Sequence, residues 1–206
     1  MVRTGARAAV LADLLADAGF ATSPPPSAPR LSGLTSELRR EAIDIYGLLG
    51  GTCADPVLRP GGWDLAFEDG LLVELDEELH FNRYRLLTLC APALRPSAWA
   101  TVYRELCSTH EADCLAAGRW GKRWTTPSAA AMFGPPGPPG SLDEPGAPRW
   151  KERALYDAIK DLLPGVTLAR VSVHDILGER TVGAALEDPV DSDPRALADL
   201  VMRRST

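Results

Sequence analysis

The segment from Trp63 to Asp76 constrains the fold of this chain most, because it has the pattern of a β-hairpin. Two runs of alternating apolar residues flank the pair Asp69-Gly70. An Asp-Gly pair between such runs is typical of a tight turn between antiparallel strands. The sequence therefore predicts two short paired strands near the middle of the chain.

The register of this hairpin decides where its acidic residues lie. A three-residue loop places Asp64 opposite Glu74, with Asp76 two residues further along the same face. A two-residue loop would instead pair Asp64 with Leu75 and divide the carboxylates between the two faces. The apolar alternation favours the three-residue loop, because that loop collects five apolar side chains on the opposite face: Leu65, Phe67, Leu71, Val73 and Leu75.

Three carboxylates on one face of a hairpin repel one another, each close pair by ~1 kcal/mol or more. A divalent cation bound between them would remove that repulsion. The alternative is an ordinary amphipathic hairpin whose acidic face lies in water. The residues alone leave both interpretations open.

Asp64, followed by Glu74-Leu75-Asp76 and then His80, resembles the motif of the PD-(D/E)XK nuclease superfamily. Its branch similar to very-short-patch-repair endonucleases is the nearest. Arg153 and the segment from Gly165 to Val171 resemble the closing helix and strand of that fold. The resemblance covers residues 36–85 and 149–177, with an unmatched insertion between them.

This resemblance implies an α/β fold with a restriction-endonuclease-like mixed sheet flanked by helices. It implies a Mg²⁺ or Mn²⁺ ion bound by Asp64, Glu74 and the carbonyl of Leu75, and hydrolysis of DNA phosphodiesters as an endodeoxyribonuclease. Asp76 stands where most of the superfamily has lysine. The nearest branch tolerates Asp there and uses a nearby histidine, so Asp76 would assist and His80 would handle a proton.

Several cationic residues are candidates for contacts with DNA. Arg85 and Arg153 would contact phosphates. The segment from Arg119 to Trp124 alternates cations with aromatic residues, which would place Arg119, Lys122 and Arg123 along a nucleic-acid backbone. The same segment would equally pack its tryptophans and leave its cations in water. Lys151 would supply the cation that is missing at position 76.

The cysteines suggest a zinc site less strongly. In one unbroken helix, Cys107 and Cys114 would lie ~10.5 Å apart along the axis, too far to share a zinc ion. A break near Ser108, or a metal shared by His110 and one cysteine, would be needed. Buried, reduced cysteines are the favoured interpretation. Two alternatives to the enzyme remain: a nuclease fold kept as a non-catalytic binding or assembly module, and a small zinc-stabilised binding protein.

Patterning predicts three segments: an N-terminal helix and proline-rich linker over residues 1–30, a nuclease-like domain over 31–180 with an insertion at about 95–148, and a C-terminal tail over 181–206. Helices are expected at 8–19, from Thr35 or Ser36 to about Leu49, from His80 through Leu89, at about 97–117, at 149–163 and, after a loop from Gly183, at 194–203. Strands are expected at 56–60, in the hairpin and at 166–173.

The net charge of −6 gives no global attraction to nucleic acid, so DNA binding would need a local basic patch. No run of 18 or more apolar residues is present, which argues against a membrane span. We expect a cytoplasmic protein with four reduced cysteines that acts on DNA, and the sequence leaves open a homodimer or a partner protein.

Overall fold

The predicted hairpin is present and has the three-residue loop. Strand β1 (Leu65–Ala66) pairs antiparallel with β2 (Leu71–Asp76), and Leu65 lies opposite Val73. The amide of Phe67 donates to the carbonyl of Leu71 at 2.9 Å. Gly70 closes the loop with φ 87°, a left-handed conformation that glycine adopts without strain. The three-residue loop fixes the register of the two strands. Asp64 is therefore the residue opposite Glu74, as the apolar alternation predicts.

The computed structural model describes residues 5–94, 98–118 and 123–206, with residue 98 described by its backbone alone. Beyond the hairpin, the strands of the described residues are β3 (Thr167–Ser172), β4 (Ile176–Leu177) and β5 (Arg180–Thr181). The α-helices of this part of the chain are α1 (Ala6–Asp17), α2 (Ser36–Leu48), α3 (Arg83–Leu89), α4 (Ala98–Thr109), α5 (Glu111–Gly118), α6 (Pro127–Phe133), α7 (Pro148–Asp161), α8 (Val182–Glu187) and α9 (Pro194–Arg204). A 3₁₀ turn spans Glu78–His80.

The residues divide into two units, and the first unit consists of Met1–Ala28, Gly62–Glu77 and Gly165–Thr206. In this unit β3 pairs parallel with β2, which makes a mixed sheet in the order β1-β2-β3. Both outer strands gain one further backbone pairing, Thr22 opposite Phe67 and Ser205 opposite Ala169. These short additions cover sheet edges that would otherwise expose backbone donors and acceptors.

Helices of the first unit pack on this sheet and on one another. Helix α1 buries Leu11, Leu14 and Leu15 and contacts α8 and α9, and α9 packs on β3. The predicted helices at 8–19 and 194–203 are thereby confirmed. The loop predicted from Gly183 is wrong, because α8 occupies that segment. Thr181 accepts the amide of Ala184 as an N-terminal cap, and Val182, Ala185 and Leu186 are buried.

The second unit consists of Pro29–Gly61 and Glu78–Pro164. Its core surrounds α7, whose apolar stripe packs against α2, α3 and α6. The sequence predicts this stripe correctly, and all its members are buried: Trp150, Ala154, Leu155, Ala158, Ile159 and Leu162. Thr35 caps α2 by accepting the amide of Leu38, also as predicted.

Three expectations for the second unit are wrong. Residues 56–60 are a loop rather than a strand, since Pro56 and Pro60 remove two of its backbone donors. The apolar pattern of α2 also predicts a buried Ile43, which is instead 38% exposed and lies outside the buried stripe of the helix. The long helix expected to about Ala117 is two helices, α4 and α5, interrupted at His110.

The fold is therefore a mixed α/β arrangement with a small mixed sheet and helices packed on it. The three consecutive segments expected from the sequence stay a prediction, and the two spatial units are discontinuous along the chain. No helix within the described ranges is long and apolar enough to cross a membrane.

Candidate functional site

Two hydrogen bonds join Asp64 to Glu74 and Leu75 at the end of the hairpin. The amide of Asp64 donates to Oε1 of Glu74 at 3.3 Å, and the amide of Leu75 donates to Oδ2 of Asp64 at 2.9 Å. Both carboxylates therefore lie at the same end of the β1–β2 pair. Asp64 is exposed and Glu74 is buried, so the pair reaches from solvent into the first unit.

The backbone of Leu75 contributes to the same place. In a strand, the N–H and C=O of one residue point to the same side, as in the hydrogen-bonded pairs of an antiparallel ladder. Because the amide of Leu75 reaches Asp64, its carbonyl faces the same edge of β2. Strand β1 begins at Leu65, one residue after Asp64, so the paired strands end at this edge. Two carboxylates and one carbonyl thus border the end of the ladder.

The acidic residues of β2 are buried and do not form a face exposed to water. Glu74 is 4% exposed and Asp76 is 1% exposed, and the side chains on both faces of this strand are buried. Charged groups are rarely buried unless a cation or hydrogen-bond donors compensate them. The alternative of a solvated acidic face is therefore wrong for Glu74 and Asp76, although it describes the exposed Asp64.

Asp76 faces Arg170 rather than its two acidic neighbours on the hairpin. Nη1 of Arg170 lies 3.0 and 2.9 Å from the two carboxylate oxygens of Asp76, and both side chains are buried. Arg170 is also the register partner of Glu74 on β3. Among the described residues, Asp64, Glu74 and Asp76 do not form a group whose ligand atoms all lie within 4.8 Å. The expected convergence of three carboxylates is reduced to the pair Asp64–Glu74.

A second buried ion pair lies just beyond β3. Asp175 accepts from Arg204 of α9 and from the backbone amide of Ser172, the latter at 2.9 Å. Burial is the main cause that raises the pKa of Asp175, and the nearby charge of Asp76 raises it further. The Ser172 amide and the Arg204 guanidinium act in the opposite direction on this pKa but do not outweigh the burial.

The polar cluster of the first unit consists of Asp64, Glu74, Asp76, Arg170, Asp175 and Arg204. The sequence analysis does not predict Arg170, Asp175 and Arg204 as its members. The signal for Arg170 was present, since a lone arginine occupies the middle of an otherwise apolar strand pattern. A buried strand arginine requires an acidic partner. The position of Arg204 had no such signal, because it lies at the end of an amphipathic helix where basic residues are ordinary.

His80 belongs to the second unit, and there it pairs with Asp157 of α7. Its Nδ1 lies 2.9 Å from Oδ2 of Asp157, and its side chain is 19% exposed. A carboxylate on one ring nitrogen orients the imidazole and fixes its tautomer. The role of His80 as a proton carrier stays a prediction.

Arg85 of α3 pairs with Asp161, one turn of α7 beyond Asp157, and is a structural residue. It is 1% exposed, its Nη2 donates to Oδ2 of Asp161 at 2.8 Å, and its Nη1 donates to Thr88 at 3.3 Å. The guanidinium also lies 5.8 Å from the centre of the Trp99 ring. The prediction that Arg85 contacts phosphates is corrected by this burial, because a side chain without exposed surface cannot reach a nucleic-acid backbone.

The remaining cationic candidates differ in exposure. Lys151 is buried and its Nζ lies 3.3 Å from both carboxylate oxygens of Glu144, which is itself 81% exposed. Arg153 is half-buried and donates to the carbonyl of Leu79 at 3.4 Å. Arg123 is exposed and donates to the carbonyl of Ala117 at 2.8 Å. Arg119 and Lys122 lie outside the described residues.

The cysteines do not form a zinc site in the described part of the chain. Groups of three or more ligand residues within 4.8 Å contain no cysteine there. Cys107 and Cys114 are buried, whereas Cys53 and Cys90 are exposed, and all four are free thiols. Burial raises the pKa of Cys114 to about 12, although Asn82 donates to its sulfur at 3.6 Å. A thiolate ligand at this position would be costly.

Comparison with protein families gives one match. Residues 44–192 match the model of DUF7255, described as a family of unknown function. The chain belongs to this family. The match includes the hairpin, β3 and α8, and therefore Asp64, Glu74 and Arg170 of the polar cluster. No curated protein and no solved structure matches the chain.

Proposed function

We propose that this member of DUF7255 is a metal-dependent nuclease-like protein of the restriction-endonuclease type, which hydrolyses DNA phosphodiesters. The observation that supports it most is the pair of hydrogen bonds that hold Asp64 against Glu74 and Leu75. The segment from Asp64 to His80 resembles the PD-(D/E)XK motif. This resemblance implies the reaction, hydrolysis of DNA phosphodiesters.

The donor atoms at the end of the hairpin fit Mg²⁺ or Mn²⁺. Asp64, Glu74 and the Leu75 carbonyl offer oxygen only, which is the ligand type that these hard cations prefer. One carboxylate is exposed and the other is buried, so an ion would have access from solvent and a partly water-excluded site. Binding there would also relieve the repulsion between two neighbouring carboxylates.

A bound ion of this kind would lower the pKa of a water ligand and neutralise charge on a phosphodiester. The chain itself fixes the ligands before any ion arrives. The Leu75 amide orients the Asp64 carboxylate, and the Asp64 amide orients the Glu74 carboxylate. Preorganised ligands of this kind lose little freedom on binding, which favours affinity.

Asp76 acts in this proposal as a positioning residue. Its carboxylate neutralises Arg170, and the ion pair ties β2 to β3 directly beside Glu74. This contact replaces the assisting role that the family resemblance implies for Asp76. The role of His80 in handling a proton stays what the resemblance implies, and Asp157 of its own unit orients its imidazole.

Asp76 also favours a second candidate, a nuclease fold that binds metal or a partner without hydrolysis. The position where most of the superfamily carries a lysine is here an acidic residue engaged by an arginine. The acidic net charge of −6 agrees with a partner other than DNA. A cytoplasmic location suits both candidates, since all four cysteines are free.

Cleavage and metal binding should be measured on the same protein preparations. Supercoiled plasmid and short DNA duplexes are incubated with Mg²⁺ or Mn²⁺, and the metal alone is titrated by calorimetry. Asp64→Asn and Glu74→Gln keep the shape and the hydrogen-bond acceptor but remove the charge. Asp69→Asn is the matched control, because Asp69 is an exposed loop carboxylate of the same hairpin that accepts the amide of Leu71.

We expect metal-dependent cleavage by the wild type and by Asp69→Asn, and a loss of at least a hundredfold in both site variants. Metal binding without cleavage would support the second candidate instead. Cleavage that persists in both Asp64→Asn and Glu74→Gln, or the absence of any metal binding, would contradict the proposed site.

A further inference from the structure

The second unit contains an open cavity of about 660 Å³ between α6, α7 and the loop from Cys53 to Gly61. Cavities of this size are typical of sites for small molecules. It lies entirely within this unit, so its walls are independent of the acidic pair on the hairpin. Nothing in the proposed function uses it.

One wall comes from α7. Arg149, Glu152 and Tyr156 recur at spacings of three and four residues, so they share one face of the helix. Glu152 is 2% exposed and accepts a hydrogen bond from Arg149, which neutralises its charge. Burial raises the pKa of Tyr156 above its ordinary value of 10.0, and its hydroxyl donates to the sulfur of Met132 at 3.7 Å.

The opposite wall is mainly apolar. Ala131 and Met132 of α6 face the cavity, and Pro56 and Val57 of the loop complete the wall. Val57 is 68% exposed, so its side chain is available to pack against the apolar part of a ligand. The loop is held in place, because the Tyr46 hydroxyl donates to the carbonyl of Met132 and accepts the amide of Cys53, at 2.7 and 2.9 Å.

The lining carries two arginines, Arg59 and Arg149, and two carboxylates, Asp55 and Glu152. Arg149 is matched by Glu152, whereas the exposed guanidinium of Arg59 makes no ion pair with any described residue, including Asp55 on the same loop. Arg59 also lies beside Tyr156, since its backbone hydrogen bond and, less strongly, its charge lower the pKa of that phenol. A guanidinium next to a phenol hydroxyl is suited to a carboxylate.

We propose that this cavity binds a small amphiphilic carboxylate, with the apolar body against Val57, Ala131 and Met132 and the carboxylate on Arg59. The apolar lining would supply affinity through burial, and the guanidinium would select for the negative charge.

Dansyl-labelled undecanoic acid is the probe, because its fluorescence shifts to the blue when the label leaves water. Its methyl ester is the matched neutral ligand. Two variants of the full chain test the site. Arg59→Gln removes the charge, and Ala131→Trp fills the cavity from an exposed helix position that should tolerate a larger side chain. Arg40→Gln changes an exposed arginine on α2 of the same unit and serves as the control.

We expect saturable binding of the acid by the wild type and by Arg40→Gln. Binding should weaken about tenfold in Arg59→Gln, equivalent to ~1.4 kcal/mol, and the ester should bind the wild type with a similar deficit. Ala131→Trp should abolish binding. A wild type that does not bind the acid overturns the proposal, and so does binding that Ala131→Trp leaves intact. Equal binding of acid and ester would show an apolar cavity that does not recognise the anion, which also overturns it.

Discussion

Nη1 of Arg170 on β3 contacts both carboxylate oxygens of Asp76 on β2, at 3.0 and 2.9 Å, and both side chains are almost completely buried. This ion pair connects the two parallel strands at the place where the acidic residues of the hairpin end. Asp64 and Glu74 are the carboxylates that take part in the hydrogen bonds at the end of the hairpin.

Removal of one partner from this pair should be strongly destabilising. Arg170→Met leaves the Asp76 carboxylate buried without its guanidinium, and such a change typically costs ~3–5 kcal/mol in the free energy of unfolding. Urea denaturation followed by circular dichroism measures the loss. The double variant Arg170→Met/Asp76→Leu should recover part of it, because the Asp76 charge is removed together with its partner, while Glu74 stays buried nearby. A single variant as stable as the wild type would show that Asp76 is compensated by other groups.

Divalent metal should stabilise the wild-type chain. An ion that binds only the folded state raises the free energy of unfolding by ~2.7 kcal/mol when its concentration is a hundred times the dissociation constant. We expect Mg²⁺ or Mn²⁺ to raise the thermal midpoint of the wild type and of Asp69→Asn, and to have no effect on Glu74→Gln. Equal shifts in all three proteins would indicate that the ion binds elsewhere.

The hairpin was predictable because its information is local. The turn Asp69-Gly70 and the alternation on either side fix one register, and the pairing of Asp64 with Glu74 follows from it. Helix α7 was predictable for the same reason, since its apolar stripe has a clear helical period. Residues 56–60 were predicted to be an edge strand because of their two prolines and two apolar residues. The prediction is wrong because these residues have no neighbouring strand to pair with.

The contacts of the acidic residues were less predictable. Asp76 and Arg170 are 94 residues apart in sequence, and their contact depends on the parallel register of β2 and β3. Period-two alternation places Glu74 and Asp76 on one face, but it cannot show that a third strand supplies a guanidinium to one of them. The burial of Arg85 likewise depends on Asp161 of a distant helix.

The four thiols should fall into two classes. Cys53 and Cys90 are exposed, whereas Cys107 and Cys114 are buried, and the pKa of Cys114 is raised to about 12 by burial. A thiolate is the reactive species, so Ellman's reagent at pH 8 should label Cys53 and Cys90 quickly and the other two only after unfolding. Peptide mapping identifies the labelled residues. Fast labelling of Cys114 in the folded protein would contradict the structure around α5.

The pKa of Asp175 gives a prediction about pH. Because the folded state raises this pKa above the ordinary value of 3.8, the protonated form is favoured by folding. The corresponding stability is present below the unfolded pKa and is lost as the pH rises through the folded pKa. Asp175→Asn should therefore flatten the fall in stability of the wild type above pH 4, measured by urea denaturation in steps of pH. Parallel pH profiles for both proteins would show that Asp175 is not the group responsible.

Gly51 and Gly47 provide a pair of substitutions with opposite expected signs. A Cβ at Gly51 would lie 2.3 Å from the ring of Tyr46, which is buried and holds the loop of the second unit through its hydroxyl. Gly51→Ala should therefore destabilise the protein by ~1–3 kcal/mol, the usual range for overpacking. Gly47→Ala lies in α2 with no atom within 4 Å of the added Cβ and should stabilise it by ~0.5–1 kcal/mol.

Because Tyr46 binds the backbone of Met132 and Cys53, Gly51→Ala should also weaken binding of the dansyl-labelled acid, and Gly47→Ala should not. Thermal denaturation and the same fluorescence titration measure both effects. If Gly51→Ala is neutral in both measurements, the ring of Tyr46 does not occupy the position described.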